Sequence, residues 1–354
     1  MEGFRKHWYK WLSVVILVYV IAAGMLVPLR PGLMKTDAFN IQSGKSHELT
    51  IQSYNTFYSR AENHRAWLRL HDEFTLLASE IVVVDDRHIE ATFDIPEKMP
   101  TSERVAMASL IVDTDYDGSM VLPAAVSIIG QEGLEADPGP WLVEPIRDLS
   151  HRWTWSFPFR NILEETIRNT YYHVPMWFGM MLIFLLSAFY AVKLLRTGDQ
   201  RFDSRVYSLN LMGTVLGLLG IFTGAIWARY TWGSYWSGDI KQDMAAITLL
   251  IFMAYFLLRE AMSPGVKRGR VTAVYTLFAF LASIPLLYII PRMQPSLHPG
   301  SGGNPGFGGD DLDNTMKTVF YPAIIGWTLF SYWISNVVYR LTELKRRSLD
   351  KNYS

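Results

Sequence analysis

Three short stretches hold the residues best suited to chemistry. The first, ARYTWGSYWSGDIKQD, runs from Ala228 to Asp243 and sets Tyr230, Trp232, Tyr235, Trp236 and Asp239 between two apolar runs. The second, YYHVPMW, carries His173, and the third, PSLHPG, carries His298 in a segment dense in Gly and Pro. Imidazoles serve as axial ligands to iron in a macrocycle, and ligand identity sets the metal's behaviour. Aromatic faces add apolar area and offset stacking, worth about 0.5–1.5 kcal/mol per pair beyond burial. Two histidines from separate segments can therefore approach opposite faces of one porphyrin lying against indoles. The same residues also fit a plainer role, an aromatic belt at a membrane interface with incidental histidines.

The elements that must position these residues are apolar runs. The chain has 354 residues, half of them hydrophobic, with zero formal net charge and no cysteine. Neutrality gives no electrostatic footprint for nucleic acid. The missing thiols exclude disulfides, thiolate metal sites and redox dithiols. A bilayer crossing needs about 20 apolar residues, and six runs qualify: 11–28, 174–196, 206–227, 244–260, 271–291 and 317–340. The spacing predicts an α-helical membrane protein, a six-transmembrane-helix bundle. The first run follows RKHWYKW and offers small residues in IAAG, as a signal peptide would. Its length favours an uncleaved anchor over residues 1–29.

Lys and Arg concentrate in residues 1–10, 193–205, 259–270 and the tail from 340, whereas the intervening short loops hold only Arg229 and Lys241, then Arg292 and Lys317. The bias puts both termini in the cytoplasm and the Trp loop, the 292–316 loop and the long polar segment outside. The span centres carry no Asp, Glu, Lys, Arg or His. Ion-coupled transport usually needs such groups, so the chemistry belongs to the outer face.

Residues 30–165 are too long and patterned for a loop. SEIVVVDDRHIEATFDIP reads as two alternating strands around Asp-Asp-Arg, and RVAMASLIVDTDYDGSMVLPAAVSIIG as two more around DTDYDGS. They predict an inserted β-rich extracytoplasmic domain. Residues 161–173 read as a short amphipathic helix entering the second span, 166–345 as the five-helix membrane domain, and 346–354 as a cytoplasmic tail. Asp113, Asp115, Asp117 and Gly118 have the spacing of a calcium loop, but the twelfth position is Ala124, so a hairpin turn is expected. Trp153 and Trp155 read as interface anchors. LHDEF at 70–74 looks like a haem-chaperone segment, but Thr75 stands where a tyrosine belongs, so chance is the preferred reading.

WGSYWSGD together with YYHVPMW resembles the CcmC branch of the haem-handling proteins of cytochrome c maturation, a superfamily that includes CcmF and CcsA. That family carries a Trp-rich outer loop of the form WGxxWxWD between two outward histidines, the first commonly in a Tyr-x-His-Val-Pro context. LHPG sits where the second histidine lies, after the fifth span. The likeness covers about residues 165–345. Gly238 stands where the family's last tryptophan belongs, and Lys241 where arginine is frequent.

The resemblance implies haem b held outside the bilayer, with His173 and His298 as axial ligands of its iron. Trp232 and Trp236 would pack on the porphyrin with Tyr235 nearby. Gly233 would permit close backbone approach and Asp239 would hold the loop in shape. Charge alone nominates Arg229, Lys241 or Arg292 for the propionates. It further implies delivery to a periplasmic CcmE-like haem chaperone, beside a CcmA/CcmB ABC transporter and a CcmD-like small membrane protein. The setting would be the bacterial inner membrane, and the protein would not be an enzyme. A haem lyase of the CcsA/CcmF branch is the near alternative, and a membrane-anchored scaffold or sensor acting through the β domain is the distant one.

Overall fold

The computed structural model describes residues 2–71, 73–131, 135–143, 146–152, 154–298 and 312–352. The chain divides into two compact units, Pro28–Glu165 and Met1–Val27 with Thr166–Ser354.

The first unit is a β-sandwich. One sheet has the order β1 (Gly32–Thr36), β3 (Ser46–Tyr54), β7 (His88–Asp94), β6 (Glu80–Asp85). The other runs β2 (Asn40–Gln42), β9 (Gly118–Ile129), β8 (Val105–Thr114), β4 (His64–Leu70), β5 (Phe74–Leu77). Alternate residues of a strand face opposite sides. Leu49 and Ile51 of β3 and Ile89, Ala91 and Phe93 of β7 thus turn inward, packing into one buried core with Leu68, Leu110, Val126 and Ile128 of the second sheet. Both expected hairpins form, β6–β7 and β8–β9. The aspartates of DTDYDGS hold protein donors. Asp113 accepts from Arg65 at 2.6 Å, Asp115 from the Glu62 N–H at 3.1 Å, and Asp117 from the Phe57 N–H at 2.9 Å. Trp155 is exposed, while Trp153 and the Asp72 of LHDEF lie outside the described residues.

The second unit is helical: α1 (Glu2–Leu26), α2 (His173–Thr197), α3 (Arg201–Trp232), α4 (Ile240–Glu260), α5 (Val266–Ile284) and α6 (Asn314–Asn352). Among the described residues, five helical stretches, those of α1 to α5, are long and apolar enough to cross a membrane. The expected sixth, α6, is not among them. Its run is diluted by Thr328, Ser331, Ser335 and Asn336 and by Pro322 inside the helix. Helix α6 runs on past the apolar run to Asn352. It packs on α1, with Lys10 5.7 Å from the Trp333 ring and the Tyr19 hydroxyl donating to the Thr318 carbonyl at 3.1 Å.

The amphipathic helix expected at 161–173 is a 3₁₀ segment, Glu164–Tyr171. Its Arg168 donates to the carbonyls of Gly24 and Val27 at 2.9 and 2.7 Å, covering groups that α1 leaves open at its end. Pro285 offers no N–H to the preceding turn, and α5 widens there into a π-turn over Pro285–Ile289.

One packing motif sets the position of the second helix. Gly213, Gly217, Gly220 and Gly224 form a stripe along α3, and small residues let helices approach closely in membranes. A Cβ on each would lie 2.4 Å from Phe184, 2.9 Å from Met180, 2.8 Å from Trp177 and 2.6 Å from His173. The two sets share a four-three-four spacing in opposite directions, so α2 keys its large side chains into α3 antiparallel. At the opposite end of α3, buried Asp203 takes both Arg259 amino groups of α4 at 2.7 Å.

Candidate haem-binding site

The Trp loop is a tied turn between two helices. Gly233, at φ 78°, ends α3, and Gly238, at φ 71°, precedes α4. Such left-handed backbone suits glycine. Asp239 caps α4, accepting from the Lys241 N–H at 2.9 Å. The Gln242 side chain accepts from Ser237 N–H at 3.0 Å and donates to the Tyr235 carbonyl at 3.3 Å. The Trp236 indole N–H donates to Asp243 at 3.0 Å, and Arg229 donates to the Gly233 carbonyl.

His173, the first residue of α2, is fixed against α3. Its Nδ1 lies 3.1 Å from the Thr223 hydroxyl. That hydroxyl donates its single proton to a backbone carbonyl of its own helix, Leu219 at 2.9 Å or Gly220 at 3.1 Å. With that proton committed, the hydroxyl is free to accept from His173 Nδ1, the tautomer that leaves the lone pair on Nε2.

His298 is held from behind by the loop. Its Nδ1 lies 2.8 Å from Asp239 Oδ1. A carboxylate only accepts, so Nδ1 carries the proton here too. Asp239 also receives the Leu297 N–H at 2.7 Å and the Ser296 hydroxyl at 2.8 Å. Burial alone would raise the Asp239 carboxyl, but the N–H groups of Leu297 and Lys241 and the Ser296 hydroxyl outweigh it and hold it below its ordinary value. Burial pushes His298 down, against the pull of Asp239, and Lys241 adds to the fall. The pair is thus a neutral imidazole donating to a carboxylate. Two indoles brace the ring, Trp232 with centroids 4.6 Å away and Trp227 at 5.8 Å.

Both histidines line one cavity of about 180 Å³, whose open mouth brings the space free of protein atoms to about 770 Å³. The walls are mostly apolar, with Trp177, Met181, Ile221, Ala225, Leu287 and Tyr288 joined by Trp236 of the loop. Lys241 is the charged side chain in that wall. These features suit a flat apolar body with a metal at its centre: two imidazoles whose Nδ1 protons are already committed, and ring faces around them. Lone-pair nitrogens fixed by a hydrogen bond on the opposite ring atom are the usual state of metal-binding histidine.

The predicted residues divide accordingly. His173, His298 and Trp236 line the cavity, and Asp239 and Trp232 support His298. Tyr235 is exposed and outside the lining, and Gly233 takes the left-handed backbone that ends α3. Residues 299–311 of the Gly-rich loop lie outside the described residues. Sequence reasoning missed Thr223, Trp177 and Gln242. The regular glycines of LMGTVLGLLGIFTGA were the available signal, marking the α3 face that receives His173 and Trp177.

Residues 153–353 match the family profile described as heme exporter protein C, CcmC. Among curated proteins, the cytochrome c biogenesis protein CcsA of Pelargonium hortorum is 41% identical over 76 residues, covering 21% of this chain and 24% of that protein. CcsA of Porphyra purpurea is 44% identical over 71 residues, 20% of this chain and 22% of the relative. CcsA of Oryza sativa is 40% identical over 90 residues, 25% of each. The matches thus span about a quarter of the length of these relatives.

Proposed function

The chain belongs to the CcmC family, and from that membership and the two-histidine cavity we propose that it holds haem b on its outer face for cytochrome c biogenesis. The observation that carries the reading is one apolar cavity lined by His173 and His298, each with Nδ1 bound to an oxygen. His173 and His298 would ligate the iron, Trp236 and Trp177 would flank the ring, and Lys241 would face a propionate. Haem is the cargo, and what the protein supplies is orientation and exclusion of water. The membrane is the bacterial inner membrane, with α6 as a sixth crossing, both termini cytoplasmic, and the Trp loop and β domain periplasmic.

The recipient is a CcmE-like haem chaperone, with a CcmA/CcmB ABC transporter and a CcmD-like small membrane protein as companions. The similarity to CcsA proteins favours one second reading, in which haem is attached directly to apocytochrome, a lyase-like activity. Co-expression separates the two. Delivery predicts that a CcmE-like chaperone accumulates bound haem with the wild type and not with His173→Ala or His298→Ala. Haem reaching a CXXCH apocytochrome in cells lacking that chaperone would overturn delivery in favour of the lyase reading.

A further inference from the structure

The two imidazoles are not equivalent. His298 gives its Nδ1 proton to a carboxylate, Asp239 Oδ1, at 2.8 Å, and that carboxylate is itself fixed by the Leu297 N–H and the Ser296 hydroxyl. His173 has only neutral partners, the Thr223 hydroxyl 3.1 Å from its Nδ1 and the Gly220 backbone. A carboxylate partner draws the ring proton toward itself and makes the other ring nitrogen a stronger donor. A hydroxyl already donating to its own helix does much less. The supports differ in kind as well. Two indoles brace His298, Trp232 and Trp227, whereas His173 has Trp177 at 6.2 Å.

Building on the haem reading above, we propose that Asp239 is a positioning residue that makes His298 the firmly held axial ligand, so that His173 is the one that yields when haem leaves. Release then begins on the α2 side. His173 Nε2 would give up the iron first and keep its electron pair, and a donor atom of the acceptor would take its place. No electron is transferred. The proton of His173 stays on Nδ1 with Thr223 throughout, so the step needs no acid or base. The two loops that carry Asp239 and His298 keep their grip until the second bond is exchanged.

The test uses full-length protein loaded with haem, reduced and exposed to carbon monoxide, which displaces the weaker axial ligand. After photolysis, the iron–histidine stretching band in the Raman spectrum belongs to the ligand that stayed. Three variants are compared with wild type. Asp239→Asn keeps an acceptor oxygen and the helix cap but removes the charge. Thr223→Val removes the other hydrogen bond. Ser296→Ala loosens the same loop without touching the imidazole.

The expected result is a band shifted to lower frequency in Asp239→Asn and unmoved in Thr223→Val and Ser296→Ala. Haem affinity of Asp239→Asn should fall by roughly 10–100-fold, the usual effect of losing a histidine's outer partner. A shift in Thr223→Val and none in Asp239→Asn would make His173 the firm ligand and overturn the proposal. An equal shift in Ser296→Ala would reduce Asp239 to a loop staple and overturn it as well. A wild type with no haem absorbance would instead sink the haem reading itself, whereas a bis-imidazole wild type with an indifferent Asp239→Asn would sink only this inference.

Discussion

Gly224→Ala tests the link between helix packing and the site. The added Cβ would lie 2.6 Å from His173 Cε1, 3.2 Å from Nδ1 and 3.4 Å from Nε2. Carbon atoms pack best at about 3.5–4.0 Å, so the ring must move by about 1 Å. Sliding α2 as a body is resisted one turn on, where Trp177 sits so close over Gly220 that a Cβ there would lie 2.8 Å from it. The imidazole must therefore turn, stretching its hydrogen bond to Thr223. Overpacking of this kind costs about 1–3 kcal/mol. At about 1.4 kcal/mol per decade, haem affinity should fall roughly 5- to 150-fold. The assay is haem titration of purified protein followed by absorbance, with Gly179→Ala as the control. That glycine lies in the same bundle, but its nearest neighbours are at ordinary distances of 3.5 and 3.7 Å, so its affinity should hold. Equal affinity in Gly224→Ala and wild type would show that His173 does not depend on its seat against α3.

Asp203→Asn strands a buried guanidinium, Arg259. Removing one partner of a buried pair costs about 3–5 kcal/mol, so thermal unfolding in detergent should shift well below wild type while the haem spectrum of surviving protein is unchanged. Acid should loosen the hold of Asp239 on the His298 loop. His298 and Asp239 both sit below their ordinary values, so each contributes stability that is full above its unfolded pKa and lost as pH falls through the folded one. Those unfolded values are about 6.5 and 3.9. Haem retention followed by absorbance should therefore decline on acidification below about pH 6.5 and hold steady from pH 7 to 8. Gly238→Trp restores the residue common in the family but forces a side chain into φ 71°, at a cost of about 1–2 kcal/mol. Titration should show weaker haem binding than wild type, and tighter binding would refute this account of the turn.

Much of this architecture was legible because periodicity reports burial. The apolar runs marked every helix, α2 closely, whereas α1 starts at Glu2 rather than 11 and α6 ends at Asn352 rather than 340; alternation around Asp-Asp-Arg and DTDYDGS gave the two hairpins. The histidines and Trp loop stood out because imidazole and indole are rare at such density in short loops between apolar runs. Three features were hidden for physical reasons. Thr223 reads as an ordinary apolar-helix residue, and only the packing of α2 on α3 brings its hydroxyl to His173. Asp239 reads as a turn acid, and its hold on His298 spans 59 positions of sequence. The sixth run reads as more apolar than it is, since Thr328, Ser331, Ser335 and Asn336 sit among its apolar residues.

The central claim is that His173 and His298 share one iron. The direct measurement is the absorption spectrum of purified wild type beside His173→Ala and His298→Ala, all from haem-replete cells. The account predicts a six-coordinate, two-imidazole spectrum in wild type, with each single variant losing that signature. A wild type without a Soret band, or a spectrum indifferent to both substitutions, would contradict it.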